Sequence, residues 1–183
     1  NFKMDGDAMS SLLGLGSFSS VHRASRRDDG KAVAVKIFFH PVLQWHTGDS
    51  SVHGTTRGPD PRLRQEPTFE SHDAQCFIRE VACLAQSNMV HEAIVGYLGH
   101  GFIRTDDGLV GFIAMELVPG EDLFSIVLQK DRRAKLAPTT VVRWAFQLSS
   151  AIAHLHAHGI VHRDIKESNV MVRTGCHSSL RTG

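Results

Sequence analysis

The stretch from His162 to Asn169 reads HRDIKESN, and the rest of the chain is best interpreted outward from it. It places a carboxylate at Asp164, an ammonium at Lys166 and a carboxamide at Asn169 within six residues. Together these groups can handle a hydroxyl proton, the charge of a phosphate and a magnesium ion. The stretch therefore indicates a site that acts on phosphate groups.

Composition narrows the class of protein. The chain has 183 residues, with 20 Lys plus Arg against 19 Asp plus Glu. This balance argues against a nucleic-acid or membrane-surface role that depends on bulk charge. No apolar run approaches the ~20 residues of a membrane span, no signal peptide is visible, and the three cysteines are unpatterned. We therefore expect an intracellular, cytoplasmic protein with no membrane span and no nucleic-acid partner, while the oligomeric state stays open.

Apolar spacing and turn residues predict an α+β fold, with a small antiparallel β-lobe containing one helix, followed by the start of a helical lobe. Residues 41–71 lose periodicity and collect Gly, Pro, Ser, Thr, His and Arg, which predicts a flexible insertion. The expected elements are strands at 12–15, 21–25, 32–39, 97–104 and 109–117, and helices at 72–88, about 122–129 and 139–158.

Two of the expected helices have apolar positions at helical spacing. In the first, Phe77, Val81 and Leu84 fall on one face. The long helix would be capped by Thr139 or Thr140 and end before Gly159. Its apolar positions are Val141, Ala145, Leu148, Ile152 and Leu155.

Two short runs in the first lobe carry further chemistry. Gly14 to Val21 reads GLGSFSSV, and glycines between two strands let backbone N–H groups approach phosphates. An ordinary hairpin turn is the alternative, whereas a dinucleotide-binding loop is disfavoured because a strand, not a helix, follows. Val33 to Lys36 reads VAVK, and Lys36 either meets a phosphate or is a strand lysine that faces solvent.

With these runs in this order, the chain resembles the eukaryotic-type protein kinases, because HRDIKESN fits their H-R-D-x-K-x-x-N pattern. Lys two residues after Asp is typical of their Ser/Thr members. The resemblance implies ATP and Mg²⁺ as cofactors, and transfer of the γ-phosphate to a Ser or Thr hydroxyl of a protein substrate. It divides the chain into an N-lobe at 1–118, with the insertion at 41–71, and a hinge and partial C-lobe at 119–183.

The resemblance also implies a role for each site residue. Asp164 would accept the substrate proton, Lys166 would neutralise the γ-phosphate, and Asn169 would ligate magnesium. Lys36 would meet the α- and β-phosphates and pair with Glu80, for which Glu66 and Glu70 remain competitors. The other nucleotide-binding positions are Gly14, Gly16, Ser17, Phe18 and Val21 in the glycine-rich run, Ala34, Met115, Glu116, Val118 and Met171 around adenine, and Asp122 beside the ribose.

The chain departs from the family pattern in two ways. Ser19 replaces the third glycine of G-x-G-x-x-G, and no D-F-G motif, activation segment or A-P-E follows Asn169. We therefore expect the first two thirds of a Ser/Thr kinase domain. A non-catalytic, pseudokinase-like or regulatory binding fragment is the main alternative, and an unrelated nucleotide-binding protein is a second. His154 and His158, four apart on a helix, could in principle bind a metal, but a metal site there is disfavoured because no third ligand of suitable spacing is evident.

Overall fold

The computed structural model describes residues 2–6, 9–44, 72–86, 90–174 and 180–182. The predicted α+β class is confirmed. The elements, in chain order, are β1 (Phe2–Met4), β2 (Leu12–Leu15), β3 (Ser19–Arg26), β4 (Ala32–Gln44), α1 (His72–Leu84), β5 (Tyr97–Arg104), β6 (Gly108–Glu116), β7 (Gly120–Asp122), α2 (Leu123–Leu128), α3 (Lys130–Ala134), α4 (Pro138–Ala157), a 3₁₀ helix (Glu167–Asn169), β8 (Val170–Arg173) and β9 (Leu180–Thr182).

Two antiparallel sheets organise these elements. The larger has the order β1-β3-β4-β6-β5, with β2 also paired to β3, and the smaller has the order β7-β8-β9. The turn between β3 and β4 contains Gly30, which adopts a φ of 69° that glycine tolerates without steric cost. Strands β1, β7, β8 and β9 and helix α3 were not predicted from the sequence, because each is too short to show a period.

Strand β4 corrects the predicted start of the insertion. It continues through Gln44 instead of ending at Phe39. Val42 is 1% exposed and lies in the core with Phe38 and Ile113, so burial extends the strand. Pro41 sits opposite Val110 where the register shifts, and such an irregularity tolerates a residue without an N–H. The rest of the predicted insertion, 45–71, lies outside the described residues.

Helix α1 packs on the large sheet through the predicted face. Phe77 is 3% exposed, and its ring lies 5.3 Å from that of Phe38 in an edge-to-face arrangement. Val81 and Leu84 pack against the same core. The helix ends at Leu84, so the prediction that it reaches Asn88 is wrong for Ala85 and Gln86, and Asn88 itself lies outside the described residues.

Helix α4 begins one residue earlier than predicted. Ala137 is its N-cap and Pro138 its first residue, so neither Thr139 nor Thr140 caps it. Proline suits this position because its missing N–H would have no partner in the helix. The helix ends at Ala157, one residue before the predicted end, with His158 as its C-cap; Gly159 comes next with a φ of +73°, so the prediction that the helix ends before this glycine is confirmed.

The buried face of α4 agrees with the prediction at Leu148 and Leu155, which pack against buried clusters, and differs from it in the first half of the helix. Trp144, Ala151 and Leu155 are its buried residues, whereas Val141 is 49% exposed and Ala145 is also exposed. Trp144 packs with Ile126, Val170 and Val172, which draws that side of the helix toward the smaller sheet. Packing of the Trp144 indole ring therefore sets the rotation of α4 about its axis, which the spacing of aliphatic residues alone did not predict.

The C-terminal half of α4 contacts the segment that leads into β5. Ala93 and Ile94 form one buried cluster with Ala151 and Leu155 of the helix. This contact holds α4, and with it the stretch that follows at 160–169, against the lobe that contains the large sheet. Among the described residues, no helix has the length and apolar character needed to cross a bilayer.

Candidate active site

Strand β4 and helix α1 bring an ammonium and a carboxylate together. Lys36 Nζ lies 2.7 Å from each of Glu80 Oε1 and Oε2, across 44 positions of sequence. The side chains are 25% and 30% exposed, and Lys36 Nζ also lies 5.3 Å from the centre of the Phe38 ring. Phe77 anchors α1 one turn before Glu80, so core packing sets the position of this carboxylate.

The glycine-rich run forms the tight connection between β2 and β3. Gly16 N–H donates to the carbonyl of Ser19 at 2.8 Å, and a Cβ on Gly16 would lie 3.3 Å from the same oxygen. Phe18 is half exposed at the tip, and its carbonyl accepts a 3.0 Å bond from Phe39 N–H. Ser17 is exposed beside it. The loop is thus closed on itself and attached to β4.

Ser19 fits this loop without an unusual backbone. It is the first residue of β3 and pairs with Phe38, and neither it nor Gly14 nor Gly16 has a positive φ. Serine in place of a third glycine is therefore accommodated as an ordinary strand residue. Gly14 lies at a register shift of β2, and a Cβ there would meet no atom within 4 Å.

Sheet register places the residues expected around adenine and ribose. Ala34 pairs with Met115, while Val21 pairs with Lys36. At the far side, Met171 of β8 pairs with Asp122 of β7. Asp122 also caps α2, since its carboxylate accepts Ser125 N–H at 2.8 Å and the Ser125 hydroxyl at 2.6 Å.

The two expected hinge residues are Glu116, the last residue of β6, and Val118, which follows the strand. Glu116 N–H donates to the carbonyl of Gly96 at 2.8 Å. Val118 is buried, and within the described residues its N–H donates to no backbone carbonyl. The Glu116 carboxylate accepts a hydrogen bond from Arg173, a contact that sequence reasoning missed because the residues are 57 apart.

The catalytic-type stretch holds its three polar residues in contact. Lys166 Nζ lies 3.0 Å from Asp164 Oδ2, and Asn169 Nδ2 donates to the same oxygen at 2.8 Å and to the Asp164 carbonyl at 2.9 Å. The hydrogen bonds from Lys166 and then Asn169 lower the pKa of Asp164 below its ordinary value. Asp164 is therefore an ionised, exposed carboxylate at neutral pH.

Backbone geometry around this carboxylate is unusual. Arg163 has a φ of 65°, the only positive φ of a non-glycine residue among those described. Asp164 N–H then donates to His162 Nδ1 at 3.3 Å. Backbone strain of this kind, in a residue beside an exposed carboxylate, is common at functional sites.

The alternative metal site is not supported. The rings of His154 and His158 lie 4.5 Å apart, and that of His91 lies 5.2 Å from His154. However, His158 Nδ1 is engaged with the His154 carbonyl at 2.7 Å. No group of three or more potential metal ligands occurs in the part of the chain that the structure describes.

Comparisons with known proteins agree with this arrangement. Residues 62–181 match the family described as "Protein kinase domain". CBL-interacting serine/threonine-protein kinase 7 of Arabidopsis thaliana is 30% identical over 160 residues, which cover 87% of this chain and 30% of that protein. Serine/threonine-protein kinase pkn3 of Myxococcus xanthus is 30% identical over 161 residues, covering 88% of this chain and 23% of that protein.

A third relative matches a similar share of the chain. Mitogen-activated protein kinase kinase kinase 2 of Arabidopsis thaliana is 32% identical over 167 residues, or 90% of this chain and 21% of that protein. Coverage of this extent includes the strand that carries Lys36, which lies outside the family match. The chain spans less than a third of the length of these relatives. By the family match, and with the Lys36–Glu80 pair and the stretch around Asp164 in place, the chain belongs to the protein kinase family.

Proposed function

We propose that the protein binds ATP with magnesium and transfers the γ-phosphate to a Ser or Thr hydroxyl of a protein substrate. The observation that carries the proposal is the ion pair between Lys36 and Glu80. Two residues so far apart in sequence are joined only by the tertiary fold, and Glu80 orients an ammonium that would otherwise be a flexible point charge. Lys36 would then reach the α- and β-phosphates.

The residues of the catalytic-type stretch have the chemistry for the transfer. Asp164, with its lowered pKa, would accept a hydrogen bond from the substrate hydroxyl and later its proton. Lys166 would move from Asp164 toward the transferring phosphate and offset its charge. Transfer of the phosphoryl group depends on orienting the reactants and compensating their charge more than on covalent chemistry by the protein.

Asn169 fits a magnesium ion through its amide oxygen. The Asn169 Nδ2–H group donates a hydrogen bond to Asp164, so the amide oxygen Oδ1 is the atom that would face the ion. Magnesium prefers oxygen ligands of this kind. When bound, the ion would neutralise phosphate charge. The glycine-rich run, the hinge carbonyl of Glu116 and N–H of Val118, and the apolar side chains of Val21, Ala34, Met115 and Met171 would enclose the nucleotide.

The test compares two substitutions with matched controls. Lys36→Met is set beside Lys31→Met, whose lysine side chain is 76% exposed and pairs only with Asp29 among the residues that the structure describes. Asp164→Asn is set beside Asp106→Asn in an exposed turn. ADP binding is followed by titration calorimetry, and phosphoryl transfer by ³²P incorporation into casein from labelled ATP.

Lys36→Met should weaken ADP binding and reduce transfer by ~100-fold or more, since it removes a charge aimed at phosphate. Asp164→Asn should retain ADP binding and lose transfer by about 10²- to 10⁴-fold, the usual share of a positioned acid–base group. The two controls should match the wild type. Wild-type protein that binds ADP but transfers nothing would favour the non-catalytic alternative, and protein that does not bind ADP would refute the proposal.

A further inference from the structure

Three contacts, which we call the hinge brace, attach residues 116–120, from the end of β6 to the start of β7, to residues 172–174 at the end of β8. It consists of Glu116 with Arg173, Pro119 with Thr174, and Gly120 with Val172. Arg173 Nη2 donates to the Glu116 carboxylate. Thr174 donates to the Pro119 carbonyl twice, from its N–H at 2.8 Å and from its hydroxyl at 3.2 Å.

The third attachment is a close approach of two backbones. A Cβ on Gly120 would lie 1.9 Å from the carbonyl oxygen of Val172, so only glycine fits between β7 and β8. Glu116 extends the brace in the other direction, since its Oε2 accepts Gly96 N–H at 3.4 Å at the entry to β5. The Glu116 carboxylate therefore contacts both the residue that precedes β5 and the last residue of β8.

Partial burial strengthens the ion pair between Arg173 and Glu116. The side chains of Arg173 and Glu116 are 24% and 29% exposed, so solvent screens them less than a surface pair. Arg173 also pairs with Gly120 in the β7–β8 ladder. Loss of its guanidinium should therefore loosen the neighbouring ladder and the bonds to Pro119 together.

We propose that the hinge brace positions the backbone groups of Glu116 and Val118 that would bind adenine, with Arg173 and Thr174 as positioning residues that do not touch the nucleotide. The inference rests on the proposed function. Met171, on the same strand as Arg173, would lie against the adenine ring. The brace therefore fixes the hinge and the apolar residue below the base as one unit, which lowers the entropy lost on binding.

The test uses Arg173→Ala, Arg173→Lys and Thr174→Val in the protein, with Arg26→Ala as the matched control. Arg26 donates to Asp29 at 2.9 Å, and this pair has similar exposure, 33% and 29%, at a turn remote from the hinge. Hydrogen exchange is measured at the amides of Glu116 and Thr174 without nucleotide. Affinity is measured for ADP and for inorganic tripolyphosphate, which lacks the base.

Arg173→Ala should accelerate exchange at both amides but not within residues 33–37 of β4. It should weaken ADP binding about fivefold, the scale of a partly buried ion pair, and leave tripolyphosphate binding unchanged. Arg173→Lys should restore part of the loss, and Thr174→Val should show a smaller one. Arg26→Ala should change neither exchange at these amides nor ADP affinity.

Unchanged exchange at Glu116 and Thr174 in Arg173→Ala would overturn the brace. So would equal losses for ADP and tripolyphosphate, because a general loss of stability would produce that pattern. Failure of the proposed function gives a different result: wild-type protein would not bind ADP at all. In that case the exchange rates alone still decide whether Arg173 holds the hinge to β8.

Discussion

Replacing Phe77 is the sharpest probe of how packing positions the Lys36–Glu80 pair. The ring is 3% exposed and contacts Phe38 and Phe102, with ring centres 5.3 and 5.5 Å away. Phe77→Ala should lower the free energy of unfolding by ~3–5 kcal/mol, the usual loss for a buried aromatic that leaves a cavity. Against a total of ~5–15 kcal/mol, that loss is a large fraction of the stability.

The same substitution should release α1 from the sheet. Because Glu80 lies one turn after Phe77, its carboxylate would lose the fixed position beside Lys36, and ADP affinity should fall with stability. Phe77→Leu keeps most of the volume and should cost less than about 1.5 kcal/mol, which secures a folded variant for the binding measurement.

The free energy of unfolding is obtained from urea denaturation monitored by circular dichroism. The control is Ile78→Ala. Ile78 is the next residue of α1 and is 42% exposed, so its truncation should change stability by no more than ~0.5 kcal/mol. A loss below about 1 kcal/mol for Phe77→Ala would refute the account of α1 packing. A full loss of stability with unchanged ADP affinity per folded molecule would refute the link to Glu80.

Three other predictions follow from single contacts. Gly111→Ala should destabilise the protein by ~1–3 kcal/mol in urea denaturation, because a Cβ there would lie 2.7 Å from a carbon of the Phe77 ring; a neutral effect would contradict this packing. Gly159→Ala should cost ~1 kcal/mol through backbone strain alone, since its φ is +73° and no atom lies within 4 Å of the new Cβ; equal thermal stability of variant and wild type would count against the helix end described here. Lys166→Ala should shift the acid limb of the kcat/KM pH profile upward, because kcat/KM reports the nucleotide-free protein, in which Lys166 is the largest cause of the lowered pKa of Asp164. With its folded-state pKa lowered, Asp164 keeps its charge as pH falls through the ordinary aspartate range and loses it only below, so an unmoved acid limb would sink this reading.

Local patterns were enough to predict the main strands, the α1 face and the end of α4. Gly30 and Gly159 adopt the positive φ angles for which glycine is the natural choice, and Phe77 lies on the apolar face that its spacing indicated. Such features depend on a few neighbouring residues. A single sequence therefore contains the information needed to predict them.

Features that depend on distant partners were missed or misplaced. The extension of β4 past Phe39 depends on burial of Val42 beside Ile113. The rotation of α4 depends on Trp144 reaching Val170 and Val172. No local period reports such contacts, because the strand and the helix each have more than one plausible apolar side.

The candidate site divides in the same way. The types of residue at Asp164, Lys166 and Asn169 indicated phosphate chemistry, and the structure brings those three into contact. The Glu116–Arg173 contact left no signal in the sequence, because Arg173 lies in a short polar stretch without a motif. The contact depends on the pairing of β7 with β8, which brings the end of β8 beside the hinge.

The most direct measurement of the central claim is phosphoamino-acid analysis after incubating the protein with labelled ATP, magnesium and a mixed protein substrate. We expect label on phosphoserine or phosphothreonine that disappears in Asp164→Asn and persists in Asp106→Asn. Label that survives the Asp164 substitution, label on phosphotyrosine, or no label with wild-type protein would contradict the central claim.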